Sequence, residues 1–155
     1  MRKWMYAVVL ALGMGGFVTA LYASGAFTGT WKLDPAKSKY TTGAPPKEET
    51  VIIEQTGNQE EITVTGTAAD GSPMSGKYML PANGGEGTVS SGAYDSISQK
   101  VVSANVRDVA FTKGGKEVLH LHSVVSKDGK TMRTTVQGTT AQGKPVAGMS
   151  VFEKQ

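Results

Sequence analysis

His120 and His122 are the two histidines of the chain, and their spacing could support binding chemistry. Side chains two residues apart on a β-strand point to the same face of a sheet, so both imidazoles could reach one ligand or one metal ion. A metal ion needs a third ligand, and a neighbouring strand offers Arg107 or Asp108 at that level, of which only Asp108 could help. We therefore expect no metal site, and we treat the histidines as candidate ligand-binding residues.

The turn that follows the histidines decides which way they point. If Asp128-Gly129 is a two-residue loop, His120 and His122 face solvent. If Lys127-Asp128-Gly129 is a three-residue loop with a bulge, the register shifts by one residue and both side chains lie inside the fold. There each neutral imidazole would offer one donor and one acceptor to the polar group of a ligand. Both turns suit the sequence, so the register stays open at this point.

Three further residues are candidate ligand contacts, with ordinary core packing as the alternative for each. Trp31 is expected either to close one end of the fold with its N–H hydrogen-bonded, or to contact a ligand. Tyr78 alternates with Lys77 and Met79 and is expected to face inward. Met132 is expected on a core-facing side of its strand, where it could line an adaptable apolar cavity.

Motifs of catalysis are absent from the sequence. The Gly-dense stretch Gly84-Gly85-Glu86-Gly87-Thr88-Val89 has no helical pattern after it and no Lys at the phosphate-binding position. The chain has no G-x-S-x-G motif and no Cys, which excludes thiolate chemistry, disulfides and lipid attachment through cysteine. The acidic pairs Glu48-Glu49 and Glu60-Glu61 are interpreted as solvated charge in loops. We therefore expect no catalytic residue, no cofactor and no enzyme activity.

From residue 27 onward, short β-rich runs alternate with turn signals. The predicted strands are Phe27–Leu33, Thr50–Gln55, Glu61–Gly66, Met74–Leu80, Gly87–Ser91, Ser96–Val102, Val106–Thr112, Glu117–Ser126, Thr131–Thr139 and Val146–Glu153. Gly and Asn between these runs supply the positive φ that tight hairpins require. Apolar and polar residues alternate within several runs, which is typical of strands with one face on a core and one in water. The pattern predicts an antiparallel meander.

The longest irregular segment is predicted to run from Asp34 to Glu49. Within it, Asp34-Pro35-Ala36-Lys37-Ser38 could form one helical turn with Asp34 as the N-cap. Strands joined in sequence leave two exposed edges unless the sheet closes on itself. We therefore predict an all-β fold, a single antiparallel up-and-down β-barrel of about 8–10 strands, with a two-sheet sandwich as the alternative.

The first 23 residues have the layout of a secretory signal peptide. Arg2 and Lys3 form a short positive region, no charged residue occurs from Trp4 to Tyr22, and small residues follow at cleavage spacings. An uncleaved anchor is the alternative, because about 19 uncharged residues could span a bilayer. We expect residues 1–23 to be a hydrophobic signal helix, residues 24–155 to be the barrel domain, and the protein to be periplasmic or secreted.

Charge along the rest of the chain is scattered. The 16 Lys and Arg residues, two of them in the leader, nearly balance the 13 Asp and Glu residues. Since no basic stripe of the kind that binds phosphate backbones is present, we expect no nucleic-acid partner. We expect a monomer that contacts a membrane only through its leader, if the leader is uncleaved.

Several segments resemble a group of small exported bacterial proteins described as lipocalin-like. They are Gly29-Thr30-Trp31, Asp34-Pro35-Ala36-Lys37-Ser38, Ser126-Lys127-Asp128-Gly129-Lys130-Thr131-Met132, Gly138-Thr139-Thr140-Ala141-Gln142-Gly143-Lys144 and Val151-Phe152-Glu153-Lys154. Gly29-x-Trp31 is similar to the lipocalin first-strand signature, and the size is similar to that of fatty-acid-binding proteins. The resemblance covers essentially the whole mature domain and implies a closed barrel with an internal cavity.

Barrel closure and the resemblance together suggest a function. We expect a small exported protein that binds a small, partly apolar or amphipathic molecule inside the barrel. The alternative is an envelope structural or protein-interaction domain whose barrel is packed solid and takes no ligand. The volume of the interior distinguishes the two, since ligand cavities usually measure several hundred cubic ångströms.

Overall fold

The computed structural model describes residues 25–155, so the predicted signal helix of residues 1–23 lies outside the described residues. Twelve β-strands form the regular structure of this part. They are β1 (Gly29–Leu33), β2 (Lys39–Thr42), β3 (Glu48–Thr56), β4 (Gln59–Thr67), β5 (Pro73–Pro81), β6 (Gly85–Glu86), β7 (Thr88–Ser91), β8 (Ser96–Ser103), β9 (Val106–Lys113), β10 (Lys116–Val125), β11 (Thr131–Thr139) and β12 (Pro145–Lys154). Within residues 25–155, no helix has the length and apolar character needed to cross a membrane.

The strands form one antiparallel sheet that curls into a nearly closed barrel. Strands β3 to β5 and β8 to β12 pair with their neighbours in sequence, as in an up-and-down meander. β12 returns to pair with β1, and β1 pairs with β3, so the first and last strands lie side by side. The prediction of an all-β antiparallel barrel is confirmed, and the sandwich alternative is not observed.

The remaining seam, between β5 and β8, is bridged by a broken strand. β7 pairs with β5 while β6 pairs with β8. Between them, the Gly87 N–H donates to the Ile97 carbonyl oxygen at 2.8 Å. A Cβ at Gly87 would lie 2.2 Å from the Met79 carbonyl oxygen, so a glycine is needed for this close approach. The bridge therefore closes the middle of the seam, where β7 pairs with Lys77–Met79 of β5 and β6 pairs with Ser98 and Gln99 of β8.

The strand count corrects the prediction of about 8–10 strands. Residues 85–91 form two strands rather than one, because the chain changes partner at Gly87. The segment 34–49, predicted to be irregular, contains β2, which pairs with β12 beyond the end of β1. β1 and β2 thus act as one strand interrupted by a turn.

Asp34 organises that turn much as the sequence predicts. Its Oδ1 accepts hydrogen bonds from the backbone N–H groups of Ala36 and Lys37 at 3.0 and 3.2 Å. The Ser38 N–H donates to the Asp34 carbonyl oxygen at 3.1 Å, which closes a single turn. The side chain therefore caps the turn in the way an N-cap residue does.

The two ends of the barrel differ, and we call them the floor and the mouth. The floor carries the short turns at residues 57–58, 82–84 and 104–105, and the mouth carries the loops 43–47, 68–72, 92–95 and 140–144. Several large, fully buried side chains lie toward the floor, namely Trp31, Ile53, Leu80 and Val125. Ile97, near the start of β8, is also fully buried, so the floor holds most but not all of the largest fully buried side chains.

Candidate ligand-binding cavity

A cavity of about 610 Å³ lies inside the barrel and opens at the mouth. Most of its wall is apolar, with side chains that include Val64, Phe111, Leu119, Leu121, Met132 and Val136. These residues face inward because alternate positions of each strand point to the same side of the sheet. Side chains do not fill the interior from end to end, so the solid packing expected under the alternative is not found.

Trp31 and a polar cluster close the floor of the cavity. Trp31 is fully buried, and its Nε1–H donates to the Phe27 carbonyl oxygen at 2.8 Å. The Arg107 guanidinium covers the Phe27 ring, with 4.2 Å between Cζ and the ring centroid, a distance at which a cation is attracted to an aromatic face. Arg107 Nη1 also donates to the Glu60 carboxylate at 2.9 Å.

Gln99 completes the polar cluster. Its Oε1 accepts from Arg107 Nη1, and its Nε2 donates to the Glu60 carboxylate, both at 3.3 Å. The same Nε2 donates to the Pro81 carbonyl oxygen at 2.7 Å. Burial lowers the pKa of Arg107, and the negative charge of Glu60 opposes that shift. Arg107 Nε is buried without a hydrogen-bond partner in the described part of the chain. The positive charge of Arg107 and the negative charge of Glu60 nevertheless neutralise each other at the floor.

Glu49, at the mouth, has a different environment. It stands two residues before Val51 and four before Ile53 on β3, so its side chain shares their inward face. Protein atoms cover it only partly, but the open space that it meets is the cavity rather than the outer surface. Burial raises the pKa of the Glu49 carboxyl to about 7, and no hydrogen bond or cation from residues 25–155 opposes this shift.

Three tyrosines, Tyr40, Tyr78 and Tyr94, line the same cavity. Burial raises the pKa of each phenol, that of Tyr94 to about 12. The negative charge of Glu49 contributes to all three shifts, so each phenol is close enough to sense this carboxylate. The mouth therefore combines one unpaired carboxyl group with three aromatic rings.

Contacts with neighbouring side chains hold the tyrosines in place. The Tyr40 hydroxyl lies 2.7 Å from Ser150 Oγ, within hydrogen-bond distance. The ring centroids of Tyr78 and Tyr94 lie 5.2 and 4.7 Å from that of Phe111, which fits the usual spacing of aromatic pairs. The aromatic wall is thus part of the packed structure of the barrel.

The rim of the cavity carries one pair of opposite charges. Lys144 Nζ lies 3.7 Å from Asp70 Oδ2, and the two residues belong to different loops of the mouth. Hydrogen bonds from Ser72 hold the pKa of Asp70 below its usual value, so the Asp70 carboxylate is charged at neutral pH. The charge of Lys144 is therefore balanced at the rim.

Of the predicted site residues, Tyr78 and Met132 line the cavity. Trp31 does not, because it is fully buried below the cavity, and its assignment as a ligand contact is corrected. Its indole closes the floor instead, which was the alternative considered for it. The Lys154 ammonium lies 5.3 Å from the centroid of the Trp31 ring and covers it at the end of the last strand.

The histidines lie on the outer wall. His120 pairs with Gln137 and His122 with Thr135, which is the register expected for a two-residue Asp128-Gly129 loop. His122 Nδ1 lies 2.6 Å from an Asp108 carboxylate oxygen and lowers the pKa of that carboxyl. The hypothesis that the two imidazoles face a ligand inside the barrel is therefore wrong. Within residues 25–155, no group of three or more His, Cys, Asp and Glu side chains could hold a metal ion.

Glu49, Tyr40 and Tyr94 line the cavity but are not among the site residues predicted from the sequence. Glu49 was assigned to a loop together with Glu48, although its spacing from Val51 already indicated the inner face. Tyr40 lies in the segment predicted to be irregular, and Tyr94 lies in a loop, so neither had a periodic signal.

Comparison of the chain with protein-family models gives no match, and a search of curated proteins gives no significant relative. The chemistry of the cavity is thus the basis for a functional assignment. That chemistry has three parts: an apolar wall, a neutralised floor and an unpaired carboxyl group at the mouth.

Proposed function

We propose that the protein binds a small, partly apolar molecule in the cavity of its barrel. The observation that carries this proposal is a cavity of about 610 Å³ with a mainly apolar wall and one open end. Small-molecule sites usually measure about 300–1,000 Å³ and combine an apolar lining with a few polar groups. The volume and the lining of this cavity both fit that description.

Stability alone does not account for such a cavity. Filling an interior with side chains gains dispersion and transfer energy, and empty apolar volume forfeits both. A barrel with a purely structural role would be more stable if the side chains at positions such as Leu121 and Val136 were larger. The retained space favours a ligand as its occupant.

We further propose that the protein acts as a binder rather than an enzyme, and that it does so outside the cytoplasm. The layout of the first 23 residues, with two basic residues followed by an uncharged stretch, supports export. Fractionation of cells that produce the full chain would test the location, and accumulation in the cytoplasm would contradict it.

A neutral apolar dye, N-phenyl-1-naphthylamine, tests ligand binding. We expect a saturable fluorescence increase at one dye per chain. The substitution Val136→Trp puts a larger side chain into the cavity and is expected to weaken dye binding at least about tenfold. Gln137→Trp is the matched control, because Gln137 is exposed on the outer face of the same strand. Equal binding by Val136→Trp and the unsubstituted protein, with circular dichroism unchanged, would overturn the proposal.

A further inference from the structure

The cavity carries one charge that the described part of the chain does not balance. The titratable groups on its wall are Tyr40, Glu49, Asp70, Tyr78, Tyr94, Arg107 and Lys144. Arg107 is paired with Glu60 at the floor, and Lys144 is paired with Asp70 at the rim. The tyrosines are neutral at physiological pH, since burial raises their pKa values. Glu49 alone has no partner of opposite charge in the described part of the chain.

The neighbouring strand leaves space beside this carboxyl group. Glu49 pairs with Gly66 on β4, so no side chain from that position covers it. A Cβ at Gly66 would lie 2.1 Å from the Glu48 carbonyl oxygen, which excludes a larger residue there while the strands keep this spacing. The close approach of the two strands therefore requires glycine at position 66, and this side of Glu49 carries no side chain.

Resting on the proposed function, we propose that the ligand is a monocationic amphiphile: its ammonium group pairs with Glu49 at the mouth, and its apolar chain lies along the cavity wall toward Phe111 and Met132. A buried carboxylate without a partner is costly, and a bound cation would remove that cost. The rings of Tyr40, Tyr78 and Tyr94 add attraction, because aromatic faces favour cations.

An anionic ligand fits this cavity less well. Its charge would meet Glu49 in surroundings that screen charge less than bulk water does, so the repulsion would be larger than at the surface. Arg107, which lines the cavity at its floor, is already engaged by Glu60 and Gln99. A neutral ligand would gain from the apolar wall alone.

Three compounds with a ten-carbon chain test the proposal: decyltrimethylammonium and decanesulfonate below their critical micelle concentrations, and decanol below its solubility limit. Each competes at pH 8 with bound N-phenyl-1-naphthylamine. We expect decyltrimethylammonium to displace the dye at a concentration at least about tenfold lower than decanol, and decanesulfonate to be the weakest. Glu49→Gln should remove the preference for the cation, so that decyltrimethylammonium and decanol displace the dye at similar concentrations. Glu48→Gln is the matched control, because that side chain is exposed on the outer face.

The pH dependence provides a second readout. A quaternary ammonium does not titrate, so only the cavity changes charge between pH 6 and pH 8. With the pKa of Glu49 at about 7, decyltrimethylammonium should bind about tenfold more weakly at pH 6 than at pH 8, while decanol binding stays constant. In Glu49→Gln, both compounds should bind independently of pH.

The outcomes separate this inference from the proposed function. If all three compounds bind equally and Glu49→Gln changes nothing, the cavity binds ligands but the inference is wrong. If Glu48→Gln also removes the preference, general surface charge explains the result and the inference is again wrong. If neither the dye nor any of the three compounds binds, the proposed function itself fails.

Discussion

Glu60 at the floor and Glu49 at the mouth both lie on the inner wall of the barrel, but among residues 25–155 only Glu60 has hydrogen-bond and ion-pair partners. Arg107 and Gln99 donate hydrogen bonds to Glu60 at 2.9 and 3.3 Å. Burial raises the pKa of Glu49 to about 7, and no group in the described part of the chain opposes this shift. A paired buried charge is compatible with a structural role, whereas an unpaired one lowers stability and points to a role in function.

The largest effect is expected from breaking the pair at the floor. Arg107→Met leaves the Glu60 carboxylate buried without its cation and should lower the free energy of unfolding by about 3–5 kcal/mol. The double substitution of Arg107→Met with Glu60→Leu removes both charges and should lower the free energy of unfolding by clearly less than the single substitution. Urea denaturation at pH 7 measures the free energy of unfolding of both variants. An equal loss in the single and double variants would show that Glu60 is not stabilised by Arg107.

Glu49→Gln is expected to raise the free energy of unfolding at pH 8, whereas Arg107→Met lowers it. A carboxyl whose pKa is raised on folding contributes stability at low pH, and this contribution is lost as the pH rises from about 4.5 to about 7. The increase in the pKa of Glu49 corresponds to a loss of at most about 3 kcal/mol in the free energy of unfolding, and contact with water in the cavity reduces that loss. We therefore expect the variant to be more stable than the unsubstituted protein by about 1–3 kcal/mol at pH 8.

Denaturation of both proteins at several pH values checks this prediction. At pH 4, Glu49→Gln and the unsubstituted protein should be nearly equal in stability, because the carboxyl is then neutral in the folded state and mostly neutral in the unfolded state. Glu48→Gln should show no such pH-dependent difference. A Glu49→Gln variant that is less stable at pH 8 would mean that Glu49 has a stabilising partner.

Trp31→Phe should lower the stability of the protein through the floor and leave ligand binding in the cavity unchanged. The substitution removes the hydrogen bond to the Phe27 carbonyl and part of a fully buried side chain, with an expected loss of about 1–2 kcal/mol. Because Trp31 does not line the cavity, the dissociation constant for N-phenyl-1-naphthylamine should stay the same in the folded variant. A large loss of affinity in fluorescence titrations would place Trp31 at the binding site after all.

The outer wall should show the smallest effect. His122→Gln removes the contact with Asp108, but both side chains are partly exposed, and such pairs contribute about 0–1 kcal/mol. We therefore expect a change in the urea midpoint close to the error of measurement and no change in dye binding. A loss above about 2 kcal/mol would show that this pair is more shielded than its exposure indicates.

Local periodicity accounts for the parts of the fold that were predicted. In Glu61-Ile62-Thr63-Val64-Thr65 the alternation is visible in the sequence, and the structure places Ile62 and Val64 inside. The same alternation indicated that Glu49 faces inward, but its charge and the adjacent Glu48 led to a loop assignment. The direction of His120 and His122 was open because it depends on one residue of register, which the turn at Asp128-Gly129 sets.

The amino-acid sequence by itself determined an antiparallel meander of short strands and the inward position of Tyr78 and Met132. These features follow from backbone geometry, which imposes a period of two on any half-buried strand. Only the tertiary structure decided that Arg107 pairs with Glu60, 47 residues away, and that none of residues 25–155 pairs with Glu49. It also decided that the barrel retains a cavity of about 610 Å³. Charge pairing and empty volume depend on distances between residues far apart in the chain, and these distances are set only when the sheet closes.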